Sequence, residues 1–175
     1  MWGLVRPLAW ETVAANPSTD LQLTALNGKT YSLAAYLVQY QLLAVALDPF
    51  TNESAWVLKT AARVLENFDQ ADCRVAFVLA GADADEAKQF LGPYANRILT
   101  FPDPQRSIVK SFAFATLPAI VHVDNSGAVV NAAEGWDPNS WQEVTDVLAK
   151  EMHWTGPVLP APGDPAPFAG TRALV

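Results

Sequence analysis

The sequence predicts an α/β sandwich with a central mixed sheet and helices on both of its faces. Residues 42–47 and 73–80 form apolar runs whose length and composition are typical of buried strands. Between them, apolar side chains recur at helical spacing over residues 52–68 and predict the longest helix of the chain. With 175 residues, 51% of them hydrophobic, the chain is long enough for one domain with a sizeable core.

A β-hairpin and a short helix are predicted ahead of the first buried strand. Residues 21–26 alternate apolar and polar side chains, and Asn27-Gly28 follows them as the strongest short-range hairpin signal. The chain is therefore expected to return at once as a second strand. Ser32 then offers an N-cap for a helix over residues 33–40.

Further strands and helices are predicted after the second apolar run. Asp83 and Glu86 have the spacing of a capping box, which indicates the start of another helix. A strand is expected over residues 96–101, with a turn at 102–104 and a short helix over 106–112. The last predicted elements are strands over 119–123 and 128–133 and a helix from Asp137-Pro138 to about residue 152.

The composition changes near the end of the chain and divides it into three parts. Residues 1–19 are interpreted as a loosely structured lead-in, 20–153 as the domain and 154–175 as a Pro-rich tail. The density of proline favours an extended or disordered tail. The alternative is an arm that is anchored by Leu159 and Phe168 on its own domain or on a neighbouring subunit.

Charge and composition exclude several classes of partner and site. The net charge of −7 and the pI near 4.6 argue against nucleic acid and anionic membranes. No apolar run is long enough for membrane insertion, and the first residues lack the apolar core of a signal peptide, so a cytoplasmic location is expected. A single cysteine, Cys73, excludes an internal disulfide, and with only His122 and His153 besides it we expect no metal and no cofactor.

The order of these elements resembles the thioredoxin-like superfamily, most closely its TlpA and AhpC/TSA-type branch. The resemblance covers residues 20–152 and is carried by three motifs. They are the hairpin Leu-Asn-Gly-Lys-Thr-Tyr-Ser-Leu at 26–33, the strand-to-helix corner at 47–56, and Thr-Leu-Pro at 116–118 immediately before a strand. The resemblance implies a thioredoxin-like three-layer sandwich.

In that superfamily the strand-to-helix corner carries a Cys-x-x-Cys motif, with a cis-proline opposite. The matching positions are Thr51 and Ser54, and Phe50 matches the aromatic residue before the first cysteine. Pro118 matches the cis-proline and Leu117 the residue before it. A hydroxyl cannot exchange with a disulfide as a thiolate does. The resemblance therefore implies the fold without classical thioredoxin or peroxidase chemistry.

Two functional hypotheses follow from this departure. The first is a redox-inactive module that binds a protein segment or a second copy of the chain through the former substrate groove. The second is a thiol-dependent oxidoreductase or antioxidant protein that uses Cys73, although a free cysteine is more often a small buried residue. Trp56 lies off the apolar stripe of its helix, so it is either covered by another element or available to a partner. The predicted groove is lined by Phe50, Thr51, Ser54, Trp56, Leu117 and Pro118.

Overall fold

A computed structural model describes residues 14–175, so most of the predicted lead-in lies outside the described residues. The domain contains nine strands and five α-helices within this range. In chain order they are β1 (Gln22–Thr24), β2 (Thr30–Ser32), α1 (Leu33–Leu37), β3 (Gln41–Leu47), α2 (Asn52–Asn67), β4 (Cys73–Ala80), α3 (Ala84–Leu91), β5 (Leu99–Asp103), α4 (Ser107–Ser111), β6 (Thr116–Leu117), β7 (Ala119–Val123), β8 (Val129–Glu134), α5 (Pro138–Met152) and β9 (Thr171–Arg172).

The central sheet has five strands in the order β5-β4-β3-β7-β8. Strands β3, β4 and β5 run parallel to one another, β7 pairs in antiparallel fashion with β3, and β8 pairs in antiparallel fashion with β7. Strand β3 is fully apolar from its second residue because it has a neighbour on each side and helices on both faces. Ala46 pairs with Ala119, which places Pro118 beside the last residue of β3.

Two hydrophobic layers cover the two faces of this sheet. One contains side chains from α2, α3, α5 and the sheet, including the fully buried Trp141 on α5 and Phe77 on β4. The other contains side chains from α1 and α4, among them Leu33 and Val109. The predicted three-layer α/β sandwich is thereby confirmed. Alternate residues of β3 contribute to the two layers, which follows from the period of two in a strand.

Local capping signals are accurate guides to where the helices begin. The Ser32 hydroxyl accepts a hydrogen bond from the Ala35 N–H at 3.1 Å. At the start of α3, Asp83 and Glu86 accept from each other's backbone N–H groups, as the capping-box prediction required.

Both ends of β5 differ from the predicted strand over residues 96–101. Residues 92–96 form a single 3₁₀ segment, so β5 begins only at Leu99 and ends at Asp103. The turn expected at 102–104 is thus partly strand. Pro102 is accommodated because β5 is an edge strand of the sheet, where a missing backbone donor disrupts no inner ladder.

The tail has little regular secondary structure and packs on its own domain, so the contacts do not support a disordered tail. Leu159 is buried among α2 and α5 residues, and Phe168 lies against Trp56. Asp164 accepts hydrogen bonds from Thr60 and Arg63 on α2, both at 2.7 Å. The alternative, an arm anchored by Leu159 and Phe168, matches this arrangement.

Candidate functional site

The corner between β3 and α2 is closed by the two hydroxyls at the Thr51-x-x-Ser54 positions. Thr51 is the N-cap of α2, and its Oγ1 accepts from the Ser54 N–H at 3.3 Å while donating to the Asp48 carbonyl at 2.9 Å. The Ser54 hydroxyl is fully buried and accepts from the Asp48 N–H at 2.8 Å. Both side chains therefore satisfy backbone groups that the turn leaves unpaired.

Beneath the corner lies a buried ion pair that the sequence analysis missed. The Asp48 Oδ2 accepts from the Arg106 Nη2 at 2.8 Å, and the other carboxylate oxygen accepts from the Phe50 N–H at 3.0 Å. Arg106 also donates through Nη1 to the Ala173 carbonyl at 2.7 Å. The only sequence signal was an acidic residue directly after a buried strand. This pair connects the corner to the tail.

Gly81 and Asp103 set the position of Arg106. The Asp103 carbonyl accepts from the backbone N–H groups of both Gly81 and Arg106. A Cβ on Gly81 would lie 2.8 Å from the Arg106 Nη2, and Gly81 has a φ of +75°. Glycine is therefore required at position 81 for two reasons. The left-handed backbone suits a residue without a Cβ, and a Cβ would clash with the Arg106 guanidinium. The Asp103 carboxylate accepts from the Ile108 and Val109 N–H groups, and burial raises its pKa.

Two aromatic side chains remain exposed at the corner. Phe50 is 62% exposed and Trp56 58% exposed. The Trp56 ring meets Phe168 of the tail edge to face, with centroids 5.8 Å apart, so Trp56 is partly covered and still largely available. Phe50 borders a cleft of about 340 Å³ whose other walls are Pro49, Glu86, Gln89 and Phe90.

The structure does not leave the predicted groove open along its whole length. Leu117 and Pro118, joined by a cis peptide bond, are buried, and β6 pairs in antiparallel fashion with β9 of the tail. Ser54 is buried beneath the corner and Thr51 only partly exposed. Of the six residues expected to line the groove, only Phe50 and Trp56 are largely exposed. Strand β9 of the tail lies beside Leu117, so a binding groove that includes Leu117 and Pro118 stays a prediction.

Cys73 lies at the opposite end of the sheet from the corner. It opens β4 and pairs with Gln41, whereas Leu47 at the corner is six residues further along β3. At a rise of about 3.3 Å per residue this is a separation of roughly 20 Å. Cys73 is 9% exposed, and its Sγ donates to the Phe68 carbonyl at 3.7 Å. Burial, aided by the nearby Asp72, raises the pKa of the thiol to about 11.

His122 is a fully buried residue of β7. It pairs with Leu43 on β3, toward the end that carries Cys73, and its Nε2 lies 2.6 Å from the Gln41 Oε1. Its Nδ1 has no hydrogen-bond partner among residues 14–175. Burial lowers the pKa of His122, against the opposing pull of Glu151 and Asp124. The imidazole is too far along the sheet to activate Ser54 as a nucleophile.

The lowered pKa of His122 predicts a pH-dependent contribution to folding stability. Above pH ~6.5 the imidazole is neutral in both states, and below it the unfolded chain takes up a proton that native His122 resists. Stability is therefore expected to fall as the pH drops from ~6.5, by at most about 1.4 kcal/mol per pH unit from this residue. Urea unfolding of the natural and His122→Asn chains between pH 7.5 and 5 checks this. Parallel stability curves for the two chains would contradict it.

Comparison with solved structures identifies the fold. The lipoprotein thioredoxin Etrx1 of Streptococcus pneumoniae superposes with a TM-score of 0.58 at 17% identity, covering 74% of this chain and 97% of its own. A secreted disulfide oxidoreductase of Mycobacterium tuberculosis gives 0.56 at 14% identity, with coverages of 67% and 85%. The chain has the thioredoxin-like fold. A hypothetical protein of Sinorhizobium meliloti also resembles this thioredoxin-like domain, with a TM-score of 0.67 at 13% identity over 93% of this chain and 94% of its own.

The structural likeness confirms the resemblance drawn from the sequence at the level of the fold. No family model and no curated protein sequence matches the chain. Within residues 14–175, no three His, Cys, Asp or Glu side chains lie close enough together to hold a metal ion. None of the helices in this same range is both long and apolar enough to cross a bilayer.

Removing the Ser54 hydroxyl tests its structural role at the corner. Ser54→Ala leaves the buried Asp48 N–H without an acceptor, so the free energy of unfolding is expected to fall by about 1–3 kcal/mol. Ser111→Ala is a matched control, because that hydroxyl makes an exposed bond to the Ser107 carbonyl. Urea denaturation of the three chains measures the difference. An equal loss of unfolding free energy in the Ser54→Ala and Ser111→Ala chains would contradict the structural role of the Ser54 hydroxyl.

Proposed function

We propose that this thioredoxin-like domain is a redox-inactive protein-binding module. Its partner would contact the corner surface, defined as the exposed side chains of Phe50 and Trp56. The observation that carries the proposal is the chemistry of the corner itself. The two positions that hold thiols in the resembling family are hydroxyls here, and both are engaged in hydrogen bonds that close the turn.

The corner surface has the properties of a protein-binding site. Large aromatic side chains are frequent at the centres of interfaces, since each buries much apolar area at little conformational cost. Phe50 also borders the cleft against Phe90, which offers a recess for a partner's side chain. Glu53 in the first turn of α2 and Glu86 at the cleft supply negative charge, as does the chain's net charge of −7. These charges favour an apolar partner segment that carries basic residues.

A capture experiment with matched variants tests this proposal. The full natural chain and its Phe50→Ala variant are used as bait in extracts of the source organism, with Val38→Ala as the control. Val38 is 81% exposed and lies ahead of β3, away from the corner. Proteins recovered by the natural chain and by Val38→Ala, but lost with Phe50→Ala, are then purified and their affinity measured. Equal binding by all three chains would overturn the proposal.

The alternative is a one-cysteine oxidoreductase or antioxidant protein that works through Cys73. A thiol with a pKa of about 11 is ionised to only about one part in ten thousand at pH 7, and burial hinders its access to a substrate. Slow labelling of the native chain by a disulfide reagent at pH 7, with fast labelling after unfolding, would eliminate this alternative. Rapid labelling of the native chain would favour it over the binding module.

A further inference from the structure

A cleft of about 330 Å³ lies between helix α2, the segment that follows α3 and the tail. Its walls carry Lys59 and Arg63 from α2, Tyr94 and Arg97 from the segment after α3, and Gly163 from the tail. Three of the chain's 11 Lys and Arg residues thus line one cleft, although the chain has a net charge of −7. Small-molecule sites usually enclose about 300–1,000 Å³, so the cleft can hold a small ligand.

Both carboxylates that line this cleft already have donors within the protein. The Asp164 Oδ1 accepts from the Thr60 hydroxyl and the Oδ2 from the Arg63 Nη2, both at 2.7 Å. The Glu66 Oε2 accepts from the Arg97 Nε at 2.9 Å and the Oε1 from the Arg97 Nη2 at 3.2 Å. Each arginine is therefore neutralised by one carboxylate, and the positive charge of the remaining cation is in excess.

Hydrogen-bond donors of the cleft, in contrast, remain available. The Lys59 Nζ has neither a carboxylate within 4.0 Å nor a hydrogen-bond partner among residues 14–175. Arg97 uses its Nε and Nη2 for Glu66, which leaves the Nη1 unengaged within the same range. A site with spare donors and an excess positive charge favours a ligand that carries negative charge and accepts hydrogen bonds.

The two arginine side chains of the cleft are held in place without a ligand. Arg97 lies over the Tyr94 ring, with its guanidinium carbon 4.9 Å from the ring centroid, and it also pairs with Glu66. Arg63 pairs with Asp164, whose side chain is only 5% exposed. Because these contacts already restrict the side chains, a ligand that binds them has less conformational entropy to overcome.

From these contacts we propose that the cleft binds a small phosphate monoester. Lys59 supplies a donor from α2 and Arg97 supplies one from the segment after α3. A phosphate presents three strong acceptor oxygens in different directions, whereas a carboxylate presents two in one plane, so a phosphate matches donors from two walls better. Tyr94 and Pro162 border the same cleft and offer contact area for the organic group of the ester.

This site is separate from the corner surface, and the inference goes beyond the proposed function without depending on it. Lys59 is eight residues further along α2 than its N-cap Thr51. At a rise of 1.5 Å per residue this places it roughly 12 Å down the helix. Neither Phe50 nor Trp56 lines the cleft.

Titration of the full chain with phenyl phosphate at low salt, followed by amide chemical shifts in NMR spectra, tests the proposal. Inorganic phosphate and benzoate are the comparison ligands. The first lacks the organic group, and the second carries a carboxylate on the same ring. Saturable shifts are expected at residues 59–66, 92–97 and 162–164. Phenyl phosphate should bind at least about threefold more tightly than either comparison ligand.

Matched variants show whether the cations of the cleft cause the binding. Lys59→Gln removes the excess charge and breaks no ion pair within residues 14–175, so the affinity for phenyl phosphate should fall at least about fivefold in a folded chain. Lys110→Gln is the control, because it removes the same charge from an exposed position on α4. Helix α4 covers the other face of the sheet, so this variant should bind as the natural chain does.

Equal affinity of the natural and Lys59→Gln chains would overturn the proposal. Equal losses in the Lys59→Gln and Lys110→Gln chains would overturn it too, because they would indicate general attraction to positive charge. Shifts that do not saturate, or benzoate binding as tight as that of phenyl phosphate, would contradict a phosphate site. Inorganic phosphate binding as tightly as phenyl phosphate would contradict a site for the ester. Should Lys59→Gln disturb the amide signals of β3, Arg97→Gln replaces it under the same criteria.

The titration and the capture experiment can fail independently. The capture experiment depends on Phe50, whereas the titration depends on Lys59. A Phe50→Ala chain should therefore bind phenyl phosphate with the affinity of the natural chain, and loss of binding in it would contradict a cleft that is separate from the corner. Failure of the titration would leave the corner surface as proposed, and failure of the capture test would leave the cleft as proposed.

Discussion

Replacing Thr51 and Ser54 together by cysteine is expected to create a redox-active pair that the natural chain lacks. Position 51 is the N-cap of α2 and partly exposed, where unpaired N–H groups and the helix dipole stabilise a thiolate. Such a thiol reacts mainly as a thiolate near neutral pH, unlike Cys73 with its pKa of about 11. The introduced pair should therefore react at least about a hundredfold faster than Cys73. Stopped-flow labelling at pH 7, with mass analysis of the disulfide formed in a glutathione buffer, measures this.

The single Thr51→Cys substitution, made alongside, separates reactivity from disulfide formation. It should give the fast thiol and form a mixed disulfide with glutathione, but no internal bond to position 54. If the double substitution yields neither fast labelling nor an internal disulfide in a folded chain, the corner lacks the geometry of the resembling family. The interpretation of Thr51 and Ser54 as replaced thiol positions would then be wrong.

The Asp48–Arg106 pair should be the most costly interaction at the corner to break. Arg106→Ala leaves a carboxylate whose side chain is only 4% exposed without its cationic partner. Removing one member of a buried ion pair typically costs about 3–5 kcal/mol, because the remaining charge stays desolvated. The substitution also removes the bond from Arg106 to the Ala173 carbonyl, so the backbone amides of residues 171–173 should exchange faster. Urea denaturation and amide exchange measure the two effects.

Arg97→Ala is the control for this prediction. The Arg97 guanidinium pairs with Glu66 on the surface, where solvent screens the interaction. Arg97→Ala is therefore expected to lower the free energy of unfolding by only a small fraction of the loss caused by Arg106→Ala. The double substitution Asp48→Ala with Arg106→Ala should recover part of the lost stability, since it leaves no unpaired charge. Equal destabilisation by Arg97→Ala and Arg106→Ala would contradict the importance given to the buried pair.

The sequence was informative where short-range patterns determine structure. The apolar runs that became β3 and β4, the helical stripe of α2 and the caps at Ser32 and Asp83 all depend on residues close together in the chain. The thioredoxin-like order of elements followed from these patterns. Thr51 could likewise be expected to cap α2, because an N-cap involves only the next few residues.

What the sequence did not indicate depends on contacts between distant residues. Asp164 reaches Thr60 across 104 residues, so a proline-rich segment that resembles a disordered tail is held in place by α2. Arg106 pairs with Asp48 across 58 residues, and its backbone is left-handed with a φ of +57°, which is uncommon for arginine. The pairing of β9 with β6 is equally non-local, and no short-range pattern around Thr171 and Arg172 indicated it.

Reduction of insulin by dithiothreitol, followed as turbidity with and without the natural chain, tests the central claim most directly. A chain whose corner carries hydroxyls and whose single cysteine is buried should leave the rate equal to that of dithiothreitol alone. The Cys73→Ser chain should behave identically, and an active thioredoxin in parallel shows that the assay works. Turnover well above the dithiothreitol rate that persists in the Cys73→Ser chain would contradict a redox-inactive domain. Turnover that disappears in that chain would contradict it as well and assign the activity to Cys73.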